Sequence, residues 1–565
     1  MKNAYLLILL TCLIWFPVMG KDSFTAIKEY IDSGTADHRY QYFASTSEVL
    51  AIKSVMIHPE HREKILGKAQ FSRPILDNEQ TYISADSHFK VHYTTSGYHA
   101  VDTISTHVTG LPDWVWETAE TAEYAYRLLV DTLGFDPLPQ DNYGGPESDI
   151  YIQNYAGSVY AYTYPEDPVT STTDQPYDYT SYMVIDNDYK EIGYNSNGLD
   201  GLHVTVAHEY FHMVQLGYNW WESNGLPGVS SSMGDQYFFA WSSTWFEERA
   251  YPEVNDYVQY IVAFFYRPTD YLWASSYEYA MGPFLYFLQD IYDDSLLVRK
   301  IWDKIKRQYA FQSMTEVIEE NGGNLATLYN DFMRGCYYTG SCYDENYAVS
   351  PDAAGFPELI IPTANRGTLD TLLQFQSDIK PFTTFPYMIT FEDHQFVELD
   401  ISPSIQDVFI GSYLLDKSAS TDTHRKFGTD TDVFIGETRY NDQLMILMTN
   451  SSIDSDYHLD MQVKKLIDTQ ILSIFVNPFL SDYQEPLTIK FQLSHFTNKL
   501  SVNIFNLIGQ RVYQQHLNVY DYNPGVNDIQ IPADVFRSNN LSSGIYFLQI
   551  VTDRNRITKK FTLLN

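Results

Sequence analysis

His208-Glu209-Tyr210-Phe211-His212 is the stretch of this chain whose residue types and spacing can do chemistry. On a helix, positions i and i+4 share a face, so both imidazoles reach a single metal ion. Glu209 then projects beside that metal, where a carboxylate can polarise a bound water. Two neutral histidines, an open coordination position and a carboxylate base form the arrangement of a zinc hydrolase. Five letters also recur by chance. The competing reading is an ordinary helix that carries two histidines and a glutamate, so the flanks have to decide.

The flanks predict the elements such a site needs. Apolar residues at Leu202, Val206, Phe211 and Val214 predict a helix over 199–216, with Gly217 in the place of a C′ glycine. Upstream, alternation predicts a strand at 89–93, and Pro112 with Asp113 opens a helix over 114–133 that ends at Gly134. Strand candidates follow at 149–152 and 182–186. Strand, helix, strands and then the HExxH helix is the order of a zincin-like, thermolysin-like α+β catalytic domain, its site helix packed beneath a twisted sheet. Helical periodicity from 256 to 329 supplies the rest of that domain, bounded here at 85–350.

From residue 356 the pattern changes to short alternating strands, read as one β-rich domain at 356–470. Residues 476–565 hold about seven short strands with glycine turns, which fit a small Ig-like β-sandwich. The whole is therefore multidomain, α+β first and all-β after. Residues 21–84 are charged and helix-leaning, either an N-terminal subdomain or a pro-segment.

The chain has 565 residues and a net charge of −36, which excludes nucleic acid and anionic membrane surfaces as partners. Its 47 tyrosines, with many Asn, Asp and Thr, suit the short strands and polar loops of an extracellular protein. Acidic loops leave room for Ca²⁺, although no specific motif for it stands in the sequence. Lys2, the apolar run at 5–16 and Val18-Met19-Gly20 read as a signal peptide over 1–20, too short for a membrane span. With Cys12 lost alongside it, Cys336 and Cys342 remain and are expected to form a disulfide. The mature protein is expected to be a soluble monomer.

Two resemblances sharpen this reading. Asn477-Pro478-Phe479, Asn506-Leu507-Ile508-Gly509-Gln510, Ser543-Gly544-Ile545-Tyr546-Phe547 and the closing Lys559-Lys560-Phe561-Thr562-Leu563 resemble the C-terminal sorting domain of type IX secretion substrates. That resemblance implies export by the type IX machinery. Residues 85–330 resemble secreted bacterial metallopeptidases of the gluzincin type. The resemblance rests on Gly110-Leu111-Pro112-Asp113, Asp149-Ile150-Tyr151, Asp186-Asn187 and Ala207-His208-Glu209 with Gln215. It continues in Ser243-Thr244-Trp245-Phe246-Glu247-Glu248 and Asn255-Asp256-Tyr257.

The gluzincin resemblance implies His208 and His212 as zinc ligands, Glu209 as general base and a glutamate from a second helix as third ligand. At that third position stands Ala240, whose methyl group cannot bind zinc. Glu247 is the nearest replacement, about 10 Å along the helix axis from that position; Glu248 and Asp235 are further candidates. The other reading of Glu247 is a carboxylate that supports the site without touching metal. Tyr279-Ala280-Met281-Gly282 resembles the segment that supplies an oxyanion-stabilising tyrosine, which makes Tyr279 the expected donor, and Tyr277 fits nearly as well.

Two functions follow. One is a secreted zinc peptidase acting on protein or peptide substrates. The other is a degenerate protease scaffold kept as a binding or surface module, favoured by Ala240. An adhesin built on the β domains ranks last, since it leaves HExxH unexplained.

Overall fold

The computed structural model describes residues 73–564 apart from short stretches, of which 220–232, 170–177 and 271–278 are the longest. The expected signal peptide, residues 21–72 and Tyr277 lie outside the described residues. The chain divides into two compact units: the first runs to residue 359 without 267–271 and 329–334, and the second takes those segments with 360–565.

The first unit is built on a five-stranded sheet of β1 (Gln80–Ile83), β2 (Phe89–Tyr93), β3 (Ser148–Gln153), β4 (Ala161–Pro168) and β5 (Tyr179–Asp186). Their spatial order is β1-β2-β3-β5-β4. The central pairs β2–β3 and β3–β5 are parallel, and antiparallel β1 and β4 close the two edges. Alternation sorts the side chains by face. Phe89 turns to the helices and meets Tyr210 edge-on at 5.4 Å, whereas His92 points the other way and stacks on Tyr151 at 4.3 Å.

On that second face Tyr182 lies 5.7 Å from Tyr151 and stacks on Tyr164 at 5.2 Å. Arg73 crosses it, bonding Asp141 at 2.6 Å, Glu166 at 2.7 and 2.8 Å, and Asp149. The folded unit thus begins well before residue 85: both β1 and the Arg73 anchor lie in the stretch read as an N-terminal segment.

Helix α1 (Asp113–Tyr126) continues through a π-helical turn, Arg127–Thr132, and α2 (Gly198–Asn219) carries the HExxH residues. Gly217 does not end α2 as a C′ glycine. It lies inside the helix, where an added Cβ would stand 2.8 Å from Cδ of Pro139. Close approach of Pro139, not a left-handed cap, requires glycine there. Helices α3 (Met233–Ala250), α4 (Val258–Tyr266), α5 (Gly282–Tyr292), α6 (Leu297–Ile305), α7 (Ala310–Glu320) and α8 (Leu325–Tyr337) follow.

The expected disulfide is not formed. Cys336 is buried on α8 and Cys342 is exposed in the 3-10 turn Gly340–Cys342, so the two thiols occupy different environments and both are free. Burial pushes the Cys336 thiol well up from its usual range.

The second unit is rich in antiparallel sheet. Between Arg366 and Lys465 the described strands form one five-stranded and one four-stranded sheet, and Leu399, Ile446 and Val463 meet in their shared core. From Gln470 a three-stranded and a five-stranded sheet enclose a second core that includes Ile489, Phe491, Val502 and Leu548. This is the sandwich expected at 476–565. Its first strand, Gln470–Phe475, falls before that boundary, and a short helix, Ala533–Ser538, was not anticipated.

Candidate metal centre

Helix α2 is buried on nearly every side, which is what a helix enclosed by other elements should show. It packs against α1, α3, β4 and β5. The polar residues it carries into this environment need partners. His208, Glu209, His212 and Gln215 are all buried. The two imidazole centroids stand 4.6 Å apart with planes at 77°, so the i, i+4 spacing has put both rings on one side of the helix.

Each ring is held through Nδ1. His208 Nδ1 pairs with Oε1 of Glu247 on α3. His212 Nδ1 bonds Oε1 of Gln215 at 2.7 Å, with Ser243 Oγ at 3.2 Å. Gln215 is itself fixed, because its amide nitrogen donates to Phe239 O at 3.0 Å, Ser242 Oγ at 3.1 Å and Ser243 Oγ at 3.0 Å. That orientation makes Gln215 Oε1 an acceptor, places the His212 proton on Nδ1, and leaves a lone pair on Nε2. His212 Nε2 is buried and has no hydrogen-bond partner. An orphaned imidazole nitrogen whose other nitrogen is braced by an acceptor is the configuration of a metal ligand with its outer support in place.

Burial lowers His208 and lowers His212 further, the latter helped by the neighbouring His208, so both favour the neutral form a metal requires. Burial, with Asp256 nearby, pushes Glu247 well above the usual carboxylate range.

Glu209 accepts a 2.6 Å hydrogen bond at Oε2 from Thr163 Oγ1 on edge strand β4. Tyr279 comes to the same place: its ring lies 5.6 Å from that of His208 and 5.0 Å from that of Tyr260. Ala240 is fully buried on α3. The side chain of Asp235 lies outside the described residues.

Zinc fits part of this set. The unpartnered Nε2 of His212 is free to bind it, whereas Glu247 is engaged at Nδ1 of His208. Among the described residues no group of three or more His, Cys, Asp or Glu side chains is gathered for a metal. Sequence reasoning missed the supporting roles of Gln215, Ser243 and Thr163. Gln215 stands at i+3 from His212, a spacing that could have revealed it. Thr163 gives no local signal, because its partner is 46 residues away.

Residues 474–563 match the family described as Secretion system C-terminal sorting domain. The chain therefore carries a type IX sorting domain, and the protein is secreted or attached to the cell surface. No curated protein matches the chain. Likenesses to solved structures are slight. One is a mutant of a periplasmic inhibitor of g-type lysozyme from Escherichia coli, at 8% identity and TM-score 0.13, over 18% of this chain and 96% of that one. Another is a glycosyl hydrolase family 2 member from Bacteroides cellulosilyticus, at 9% identity and TM-score 0.16, over 33% and 27% of the two chains. Neither carries an argument about fold or function. No helix among the described residues is long and apolar enough to cross a membrane.

Proposed function

We propose that the protein is a secreted zinc-dependent peptidase with a zincin-like catalytic domain, acting on extracellular proteins or peptides. The observation that carries this reading is the buried, unpartnered Nε2 of His212 beside His208, with Nδ1 of both rings already braced. A zinc ion held there would supply an acidified water at neutral pH. Glu209, held by Thr163, takes a proton from the attacking water and delivers it to the leaving amine. Tyr279 is assigned the hydrogen bond to the oxyanion, on the strength of its ring standing beside His208.

Ala240 favours a second reading, a retired scaffold that binds rather than cuts. Two imidazoles hold zinc more weakly than three protein ligands do. Zinc per chain and hydrolysis of an unfolded fluorogenic protein, measured together on the secreted protein, separate the two. One zinc per chain, with hydrolysis lost on chelation, supports the peptidase. Absent zinc and absent hydrolysis, both appearing in Ala240→Glu, would establish the scaffold instead. That variant also buries a carboxylate, so without zinc it should melt lower than wild type.

A further inference from the structure

The C-terminal sandwich carries apolar side chains that its own core does not use. In its five-stranded sheet, Arg511–His516, Ser501–Phe505, Gly544–Val551 and Arg556–Leu564 lie side by side. Ile504, Tyr546, Leu548 and Phe561 belong to the core, so alternation turns Phe505, Phe547 and Lys560 to the opposite face. The register sets them in one row: Phe505 opposite Phe547, Phe547 opposite Lys560, and Arg511 beside Phe505 at the far end.

The turn at 506–510 follows directly from Phe505 and adds two more apolar residues. Leu507 is 66% exposed and Ile508 85%. Neither side chain makes the turn. Asn506 Oδ1 accepts from the Ile508 amide at 3.2 Å and from the Gln510 amide at 2.9 Å. Asn506 O accepts from the Gly509 amide at 3.0 Å, and Gly509 takes a left-handed φ of +79°. Polar residues ordinarily fill such turns. Two aliphatic side chains fixed in water at the end of an aromatic row mark a docking surface.

Charge says what kind of partner it fits. Residues 471–565 hold eight Lys and Arg against six Asp and Glu, in a chain whose net charge is −36. The net acidity therefore lies wholly ahead of this domain. Arg511 and Lys560, both exposed, bracket the aromatic pair. A cation-rimmed apolar patch complements an apolar recess with carboxylates at its mouth. On a sorting domain, the protein this patch has to meet is the export machinery.

We propose that Leu507, Ile508, Phe505 and Phe547, rimmed by Arg511 and Lys560, dock the folded sorting domain into an apolar, acid-rimmed recess on a protein of the type IX machinery. Docking there does not depend on whether the first unit cuts peptides.

The full-length chain is produced in cells with a working type IX pathway, and its shares in the medium, on the surface and inside are measured. Leu507→Ser with Ile508→Ser, and separately Arg511→Glu with Lys560→Glu, should lower the exported share about ten-fold or more, as loss of an interface anchor does. Tyr520→Ser with Val526→Thr removes side chains 90% and 53% exposed elsewhere in the sandwich, and should export normally. All three variants, purified from cells, should melt as wild type does, because none of the substituted residues joins the core. Should the serine variant melt lower, the charge-reversed one, which leaves the apolar residues in place, carries the test. A photo-crosslinker in place of Ile508 should join the chain to a protein of the type IX machinery. Normal export of both variants would overturn the docking surface, and so would an equal loss in the Tyr520 and Val526 control. A crosslink only to lipopolysaccharide, or only to a second copy of the chain, would do the same.

Discussion

At the residue scale, the centre is defined by which nitrogen of each histidine is already spoken for. Glu247 and Gln215 take the two Nδ1 atoms, so in the proposed site the part of each is to fix a ring. Glu247→Ala is expected to weaken zinc binding by about 10–100-fold, as loss of such support generally does. Glu247→Gln, which still offers an acceptor oxygen to Nδ1, should recover most of it. Equal loss in both variants, measured by competition with a chromogenic chelator, would instead make Glu247 a direct ligand through its charge. Glu209→Gln tests the base. An amide cannot accept a proton from water, so hydrolysis should fall about 10²–10⁴-fold while zinc per chain stays unchanged. Retained hydrolysis would remove Glu209 from its role and, with it, the reading of the motif as catalytic.

At the scale of elements, the central strands were legible because buried parallel strands are continuous apolar runs, as in Tyr182-Met183-Val184-Ile185. Strand β4 was not. Its sequence holds Pro165 and Pro168, which argue against a strand in a sheet interior. An edge strand tolerates them, and the pairing with β5 loses register between those two prolines. The element that steadies Glu209 was thus hidden by the residues that keep it at an edge. Helix α2 was legible in position but not in length, because Gly217 carries the same letter for a cap and for a tight contact. Gly217→Ala should cost about 1–3 kcal/mol through overpacking against Pro139. Pairing it with Pro139→Ala should restore much of the loss in a denaturant melt. Were Gly217 instead acting through backbone freedom, the second substitution would rescue nothing.

At the scale of the whole molecule, the C-terminal domain was the most legible part, since its turns and strand ends are local patterns that need no distant partner. Its start was less clear, because the strand Gln470–Phe475 reads equally well as the end of the preceding β domain. In the structure that strand pairs with Leu487–Leu493, and Ile471 and Ile474 belong to the C-terminal core. This gives two truncations different fates. Removing residues 470–565 takes the whole sandwich, whereas removing 476–565 strips the partner strand and leaves an apolar segment with free edges. Exposed unpaired strands of that kind promote association. Both truncated proteins should be missing from the medium, because the sorting domain is gone. Inside the cell the shorter chain should be soluble and melt cooperatively, and the one ending at residue 475 should partition into the pellet. Equal solubility of the two would mean that the 470–475 strand contributes nothing to the sandwich. Normal amounts of either in the medium would mean that export does not depend on this domain.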